Sequence, residues 1–333
     1  MRVLVTGGAG YIGSHTLIEL LLFGHDIYVL DNLSNGYQES LNRVKKITNR
    51  DFSYFIGDIR NDLDLDNIFR KFQPEAVIHF AGMKAVGESV EIPLKYYENN
   101  VTGSIKLLQA MDNHNCKHIV FSSSATVYGE PIYLPFDEKH SLNPLNPYGQ
   151  TKLMVENILR DWASDSKKVY SLRYFNPIGA HISGLIGENP VGIPNNLVPY
   201  ISQVAIGKLK KIKIYGDDYD TRDGTGERDY IHVTDLAIAH LAAINSFDKI
   251  GNYTALNIGT GKGTTVKELI KMYERVINKK IDIEVVQRRP GDIASSVACP
   301  KTAIKKLNWS AKMSIYSAIE SSWHWQSKNP SGY

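Results

Sequence analysis

Tyr148 and Lys152, within Tyr148-Gly149-Gln150-Thr151-Lys152, are residues on which a reaction can be built. Side chains four apart on a helix stand one above the other on the same face. A neighbouring ammonium favours phenolate, so the spacing predicts a tyrosine tuned to take a proton from a substrate hydroxyl and return it. One such pair decides nothing alone. Its companion is Ser122-Ser123-Ser124-Ala125-Thr126-Val127-Tyr128-Gly129, where the Ser124 hydroxyl at a strand end could share a hydrogen bond with the same substrate oxygen.

These groups need a frame, and the first half of the chain predicts one. Val3 to Val5 reads as a strand, Gly7-Gly8-Ala9-Gly10-Tyr11-Ile12-Gly13 follows directly, and Ser14 to Phe23 has helical periodicity ending at Gly24. Gly8, Gly10 and Gly13 satisfy G-x-G-x-x-G in the required order of strand, turn and helix, which allows a pyrophosphate to approach the backbone and the helix N-terminus. Gly7 opens the same turn. The next strand, Ile27 to Leu30, ends in Asp31, about 20 residues on, where a carboxylate accepts from ribose hydroxyls and repels a 2′-phosphate. The expected cofactor is NAD rather than NADP.

The alternation continues through strands at 52–56, 76–80 and 118–122, with helices at 61–72 and 93–113. This order implies a parallel sheet covered by helices on both faces, with ligands at the carboxyl ends of the strands. Phe80, Ala81, Gly82, Lys84, Asn99 and Ser122 to Ser124 fall at or near those ends, and Asp58 stands where it could meet an adenine.

Composition is that of a soluble globular protein: 333 residues, 43% hydrophobic, 22% charged, net charge +3. The densest basic stretch, Lys208, Lys210, Lys211 and Lys213, reads as a solvated face. Cys116 and Cys299 make neither a disulfide framework nor a zinc pattern. Asp137, Glu138 and His140 lack metal-ligand spacing, so no metal is expected. The strand-like start at Arg2 leaves no room for a signal peptide, and no apolar run approaches the roughly 18 residues of a membrane span. The expected location is cytoplasmic.

Beyond Tyr174 the regularity loosens into polar, glycine- and proline-rich loops, which are candidate ligand loops. Arg228 and Arg289 supply the forked geometry that suits phosphates. Gly259-Thr260-Gly261-Lys262-Gly263 also lies between a strand and a helix, but it matches neither phosphate-loop spacing and reads as a structural connection. His324, between two tryptophans, reads as packed.

With these motifs in hand, the sequence resembles the extended short-chain dehydrogenase/reductase superfamily and, within it, the UDP-glucose 4-epimerases over nearly the whole chain. The likeness is carried by 7–16, 77–90, 121–129, 148–156, 173–180, 192–200, 223–235 and the Trp323-His324-Trp325-Gln326 tail. It implies a Rossmann-type doubly wound parallel sheet over 1–174 and a smaller α/β domain over 175–333 that binds the UDP-sugar, with an approximate boundary and segments free to interleave. It implies Tyr148 as base and acid, Lys152 on the nicotinamide ribose, and Ser124 as the third member. Tyr11, Ile12, Asp31, Asn32, Asp58, Ile59, Phe80, Ala81, Gly82, Lys84, Asn99, Ser122, Tyr174 and Phe175 would line a permanently bound NAD.

Lys84, Asn176, Asn196, Leu197, Lys213, Tyr215, Arg228, Tyr230, Arg289 and Asp292 would meet the UDP-sugar, Tyr215 at the uracil and Asp292 at the uridine ribose. The implied reaction oxidises C4 of the hexose, turns the flat ketone over and reduces it from its other face. That requires a firm grip on the nucleotide and a loose one on the sugar. Ser296 falls beside the sugar, where epimerases confined to glucose and galactose resemble one another in carrying tyrosine. A small residue there leaves room for a 2-acetamido group, so UDP-GlcNAc and UDP-GalNAc are expected substrates beside UDP-Glc and UDP-Gal. Nearby, Cys299 replaces an acid usual in the family. The competing readings are an enzyme confined to UDP-Glc and UDP-Gal, a nucleotide-sugar 4,6-dehydratase, and a non-catalytic NAD sensor. The dehydratase needs an Asp-Glu after the strand-end hydroxyl, where this chain has Ala125-Thr126-Val127. A sensor need not keep Ser124, Tyr148 and Lys152 together. A homodimer is implied by resemblance only.

Overall fold

The computed structural model describes residues 1–289 and 291–333. The first half runs β1 (Arg2–Thr6), α1 (Tyr11–Phe23), β2 (Asp26–Asp31), α2 (Gln38–Thr48), β3 (Ser53–Ile56), α3 (Asp62–Phe72), β4 (Ala76–His79), α4 (Val86–Glu91), α5 (Pro93–Tyr96), a π-helical segment (Tyr97–Thr102), α6 (Gly103–Asn113), β5 (His118–Ser124), α7 (Pro147–Trp162) and β6 (Lys168–Tyr174). The second half adds β7 (Asn176–Ile178), α8 (Leu197–Ala205), β8 (Ile212–Tyr215), β9 (Glu227–His232), α9 (Val233–Ile244), β10 (Tyr253–Ile258), β11 (Gly263–Thr265), α10 (Val266–Ile277), β12 (Ile283–Val286), β13 (Ser295–Ser296), α11 (Lys301–Leu307) and α12 (Ile315–Lys328).

Seven strands form one parallel sheet in the order β10-β6-β5-β4-β1-β2-β3. The two-residue period of a strand sends neighbours to opposite faces. In β1, Val3 and Val5 pack with Leu17, Leu20, Leu236 and Ala243, while Leu4 packs with Phe69, Leu107, Met111 and Val155. Each fully buried aliphatic contributes about 1.5–3 kcal/mol. Both faces are therefore apolar, as a doubly covered parallel sheet requires. The expected Rossmann-type class is what the chain adopts.

Three differences from the sequence reading have physical causes. The expected helix over 93–113 is interrupted by the π-helical segment, which carries Asn99 and Asn100; such bulges reposition side chains at functional sites. The helix α2 was not foreseen, because its buried stripe is short (Ser40, Leu41, Val44, Thr48) and the rest is charged. Two elements from beyond residue 174 return to the first half: β10 pairs with β6, and α9 packs against α1. Alongside them α11 packs against β10 and α9 through Ala303 and Leu307, and most of the other elements gather around a separate core that includes Ile201, Ile214, Leu269, Tyr273 and Ile319.

Candidate active site

The order of the large sheet reverses between β1 and β4, so the loops after those strands diverge and leave a crevice at their carboxyl ends. The glycine turn after β1 lies there. A Cβ on Gly13 would sit 2.4 Å from the Gly7 carbonyl oxygen, so only glycine lets α1 close on the turn. Gly10 precedes α1 and offers no side-chain cap to its first N–H groups, which leaves them directed at whatever the crevice holds. Asp31, at the end of β2, accepts from Ala9 N at 2.9 Å and Leu33 N at 2.8 Å. An uncapped helix start facing a carboxylate across a glycine turn fits a dinucleotide: pyrophosphate on Gly10 to Gly13, ribose on Asp31.

Around this turn, the other expected cofactor residues take up defined places. The Tyr11 hydroxyl donates to Gly179 O at 2.6 Å, tying α1 to the loop after β7. Asp58 accepts two bonds from the Arg60 side chain, at 2.9 and 2.8 Å, and one from Asn32 Nδ2 at 3.0 Å. Arg60 holds that carboxyl down to about 2, so Asp58 meets the crevice as a fixed anion carrying Asn32. Ile59 is buried beside the start of α3, and Phe80 packs on His240. Gly82 and Lys152 approach one another, a Cβ on Gly82 standing 3.7 Å from Lys152 Nζ. Asn99 donates to Asn100 Oδ1 at 3.0 Å. Asn100, not foreseen, is the hub, bonding both Met83 N and Met83 O and Thr151 Oγ1.

Tyr148 and Lys152 lie on α7. Asn146 caps that helix by accepting from Gly149 N at 2.9 Å, and Pro147 occupies its first position. Gly149 allows α7 to press against the turn after β5, since a Cβ there would come within 2.9 Å of Thr126 O. This contact brings the Tyr148 phenol close enough to Ser124 for the hydroxyl to act on its ionisation, and Ser124 Oγ accepts from Thr126 N at 3.2 Å and Thr126 Oγ1 at 3.0 Å. Lys152 Nζ donates to Ser122 O at 2.7 Å and stands 4.9 Å from the centroid of the Phe121 ring and 5.8 Å from that of Tyr148.

The electrostatics correct one expectation. The phenol is not brought toward neutrality: burial pushes Tyr148 up to about 12, and the Ser124 hydrogen bond only partly opposes it. Burial also lowers Lys152, to about 8, with Glu156 acting in the opposite direction. Desolvation outweighs the attraction that helical spacing alone suggests. On the neighbouring strand β6, Tyr174 hydrogen-bonds His240 of α9, and Phe175 is buried next to it in sequence.

The expected substrate residues sit mainly in the second half. Lys84 lies 3.7 Å from Glu188, which also accepts from Asn196 Nδ2 at 2.7 Å. Leu197 starts α8, and Asn176 starts β7. Lys213 and Tyr215 point to the same side of β8, with the Arg289 guanidinium 4.1 Å from the Tyr215 ring centroid. Arg289 also pairs with Asp292 at 3.3 Å. Arg228 donates to Glu227 O at 2.8 Å, and its backbone pairs with Ser296 through β9 and β13. Ser296 is 8% exposed. Tyr230 contributes its ring to the second core, where burial pushes its phenol up to about 12.

The remaining motifs resolve into packing. Asp229, wholly buried, fills the loop at 259–263: it accepts from Thr260 N, Thr260 Oγ1, Gly261 N and Ala298 N. That loop is a structural connection, as expected. Asp137, Glu138 and His140 each bond a different partner, and among the described residues no three His, Cys, Asp or Glu side chains could hold a metal ion. No helix among the described residues is long and apolar enough to cross a membrane.

Comparison with known proteins extends this geometry to the whole chain. A family profile described as GDP-mannose 4,6 dehydratase matches residues 4–322. The UDP-glucose 4-epimerase of Bacillus subtilis is 54% identical, the alignment covering 100% of this chain and 99% of that one. The crystal structure of UDP-glucose 4-epimerase from Bifidobacterium longum, in complex with NAD+ and UDP, superposes with a TM-score of 0.96 at 49% identity and full coverage of both chains. A likeness that runs unbroken from the glycine turn through the second core leaves no part of the architecture outside it, and the chain belongs to the UDP-glucose 4-epimerase family of extended short-chain dehydrogenases/reductases.

Proposed function

We propose that the chain is an NAD-dependent UDP-hexose 4-epimerase, and that Tyr148, Ser124 and Lys152 carry its chemistry. The observation that bears most weight is the convergence of these three side chains beside the crevice at the reversal of the sheet. Bound NAD supplies the hydride acceptor and donor for C4 of the sugar. Tyr148 takes the O4 proton as C4 is oxidised and returns it after the ketone has turned over. Ser124 shares the same oxygen, and Lys152 holds the nicotinamide ribose. A phenol pushed up by burial needs positive charge close by when it must ionise, and both the ammonium and the oxidised cofactor provide it.

In this reading, residues 1–174 form the NAD-binding domain, with β10 and α9 returned to it from the region 175–333 that grips the UDP-sugar. Arg228 and Arg289 hold the diphosphate, Tyr215 faces the uracil and Asp292 the uridine ribose. Lys84, Asn176, Asn196, Leu197 and Lys213 complete the rim. The turn after Ser124 holds Ala125, Thr126 and Val127, which offer no carboxylate for the elimination that a 4,6-dehydratase performs. A homodimer is the assembly we favour, because α5, α6 and α7 leave Leu94, Ile105 and Met154 exposed; light scattering of the purified protein tests it. The location we favour is cytoplasmic, on the family resemblance, and cell fractionation tests that.

We extend the reading to N-acetylated sugars through Ser296. Ser296 pairs with Arg228 across β9 and β13, and by the family resemblance a tyrosine at this position would take the space of a 2-acetamido group. The test is product analysis on UDP-galactose and UDP-GlcNAc with no NAD added. Epimers of both are expected from the parent chain. Ser296→Tyr should lose UDP-GlcNAc turnover by about 10²-fold or more while keeping UDP-galactose turnover. Persistence of N-acetyl turnover in that variant refutes the role of Ser296, and absence of any epimer from the parent refutes the whole reading.

A further inference from the structure

The helix that carries Tyr148 and Lys152 presents a third residue at the same interval. Tyr148, Lys152 and Glu156 engage three successive residues at the end of β5. Tyr148 faces the Ser124 hydroxyl, Lys152 donates to Ser122 O at 2.7 Å, and Glu156 accepts from Ser123 Oγ at 2.5 Å. Glu156 is 0% exposed. Its carboxylate also accepts from Arg173 Nε at 2.9 Å, from Arg173 Nη2 at 2.6 Å and from the Tyr253 hydroxyl at 3.2 Å. Arg173, itself buried, passes a further bond to Tyr128 at 3.0 Å, and Tyr128 donates to Asn257 Oδ1 at 2.6 Å. One carboxylate thus ties α7 to β5, β6 and β10 together.

Charge count gives this arrangement a meaning beyond packing. Lys152 and Arg173 are both buried, and two cations with no anion between them would drive the weaker one neutral. The other titratable groups packed around them are His79 on β4, Tyr96 on α5, Tyr128 after β5, Tyr174 on β6, Tyr253 on β10, and Tyr148 and Arg160 on α7; behind them stand Glu88, on the Tyr96 hydroxyl, and Glu138, on Asn257 N. Of these only Glu88 and Glu138 are carboxylates, and neither bonds Lys152 or Arg173, while burial lowers His79 and raises the buried phenols.

We propose that Glu156 is a positioning residue for the proton transfer: it keeps the Lys152 ammonium charged and locks the Ser122 to Ser124 strand end in register with Tyr148. The inference rests on Tyr148 as the acid–base group. Ser123→Ala and Glu156→Gln separate its two parts. Glu156→Gln should lower kcat on UDP-galactose by roughly 10- to 100-fold, because neither the charge nor the register is held. KM should stay within about twofold, and the alkaline limb of the kcat–pH profile should move down by about one unit as Lys152 deprotonates earlier. Glu156→Asp should restore part of kcat and return the limb toward its parental position. Ser123→Ala keeps the ion pair and should lower kcat by roughly 3- to 10-fold with the limb unmoved, which gives a readout even where the glutamine variant fails to fold.

A soluble Glu156→Gln protein whose activity tracks its folded fraction, with its alkaline limb in place, overturns the proposal. So does a Ser123→Ala enzyme indistinguishable from the parent. The parent is assayed alongside: a parent that leaves UDP-galactose unchanged defeats the functional reading, whereas an active parent with unaltered variants defeats only the role of Glu156.

Discussion

The surroundings of Tyr148 and those of Arg289 are built on opposite terms. Near Tyr148, Lys152 and Glu156 are buried and already bonded to the end of β5. Near Arg289, the guanidinium is exposed, lies over Tyr215, and pairs with Asp292 at 3.3 Å with half of its side chain open to solvent. The proton transfer proposed for Tyr148 would tolerate little misplacement, and the chain alone already holds its surroundings in place. The nucleotide grip proposed for Arg289 must release product, and weakly paired surface charges exchange partners at little cost. On the proposed mechanism, the difference teaches that rigidity is concentrated where bonds would break.

The contrast is most exposed to failure at Tyr148. Tyr148→Phe keeps the ring and removes the proton carrier, so kcat should fall by about 10²- to 10⁴-fold with KM nearly unchanged. Steady-state kinetics on UDP-galactose measure it, and an active phenylalanine variant would end the reading of the site.

Lys152 sharpens the comparison by setting activity against stability. Burial takes its pKa from the ordinary 10.5 to about 8, so between those values the unfolded chain binds more protons than the folded one. Stability from this group therefore rises as pH climbs from about 8 to about 10.5, and at pH 7 the buried ammonium is a cost. Lys152→Met should abolish epimerisation yet raise the unfolding free energy at pH 7 by about 1–3 kcal/mol. Denaturant titration at pH 7 and pH 10 checks both sign and window: the gain should shrink at the higher pH.

The smallest expected effect belongs to the open region. Arg289→Lys replaces a fork by a point charge and should raise KM about tenfold, or about 1.4 kcal/mol, with kcat within about twofold. If that substitution lowers kcat instead, the division between a rigid reaction centre and an adaptable grip does not hold.

Much of this was legible along the chain because it depends on local spacing. The glycine turn, Asp31 at the end of its strand, and the four-residue interval between Tyr148 and Lys152 follow from helix and strand periods, and the covered parallel sheet follows from the alternation of elements. What stayed hidden depends on distant parts of the chain meeting. The sequence does not show that Arg173 and Glu156 neutralise one another beneath Lys152, that Asn100 is the hub beside Asn99, or that Asp229 fills the second glycine loop. Nor does it show that 253–258 rejoins the first sheet.

The sign of the phenol's shift was also out of reach. Spacing along a helix sets which groups are neighbours, and so an NAD-dependent oxidation of a hydroxyl was legible in the motifs, the epimerase only in the family resemblance. Burial sets how much each charge costs, and only the packed sheet and its helices decide burial.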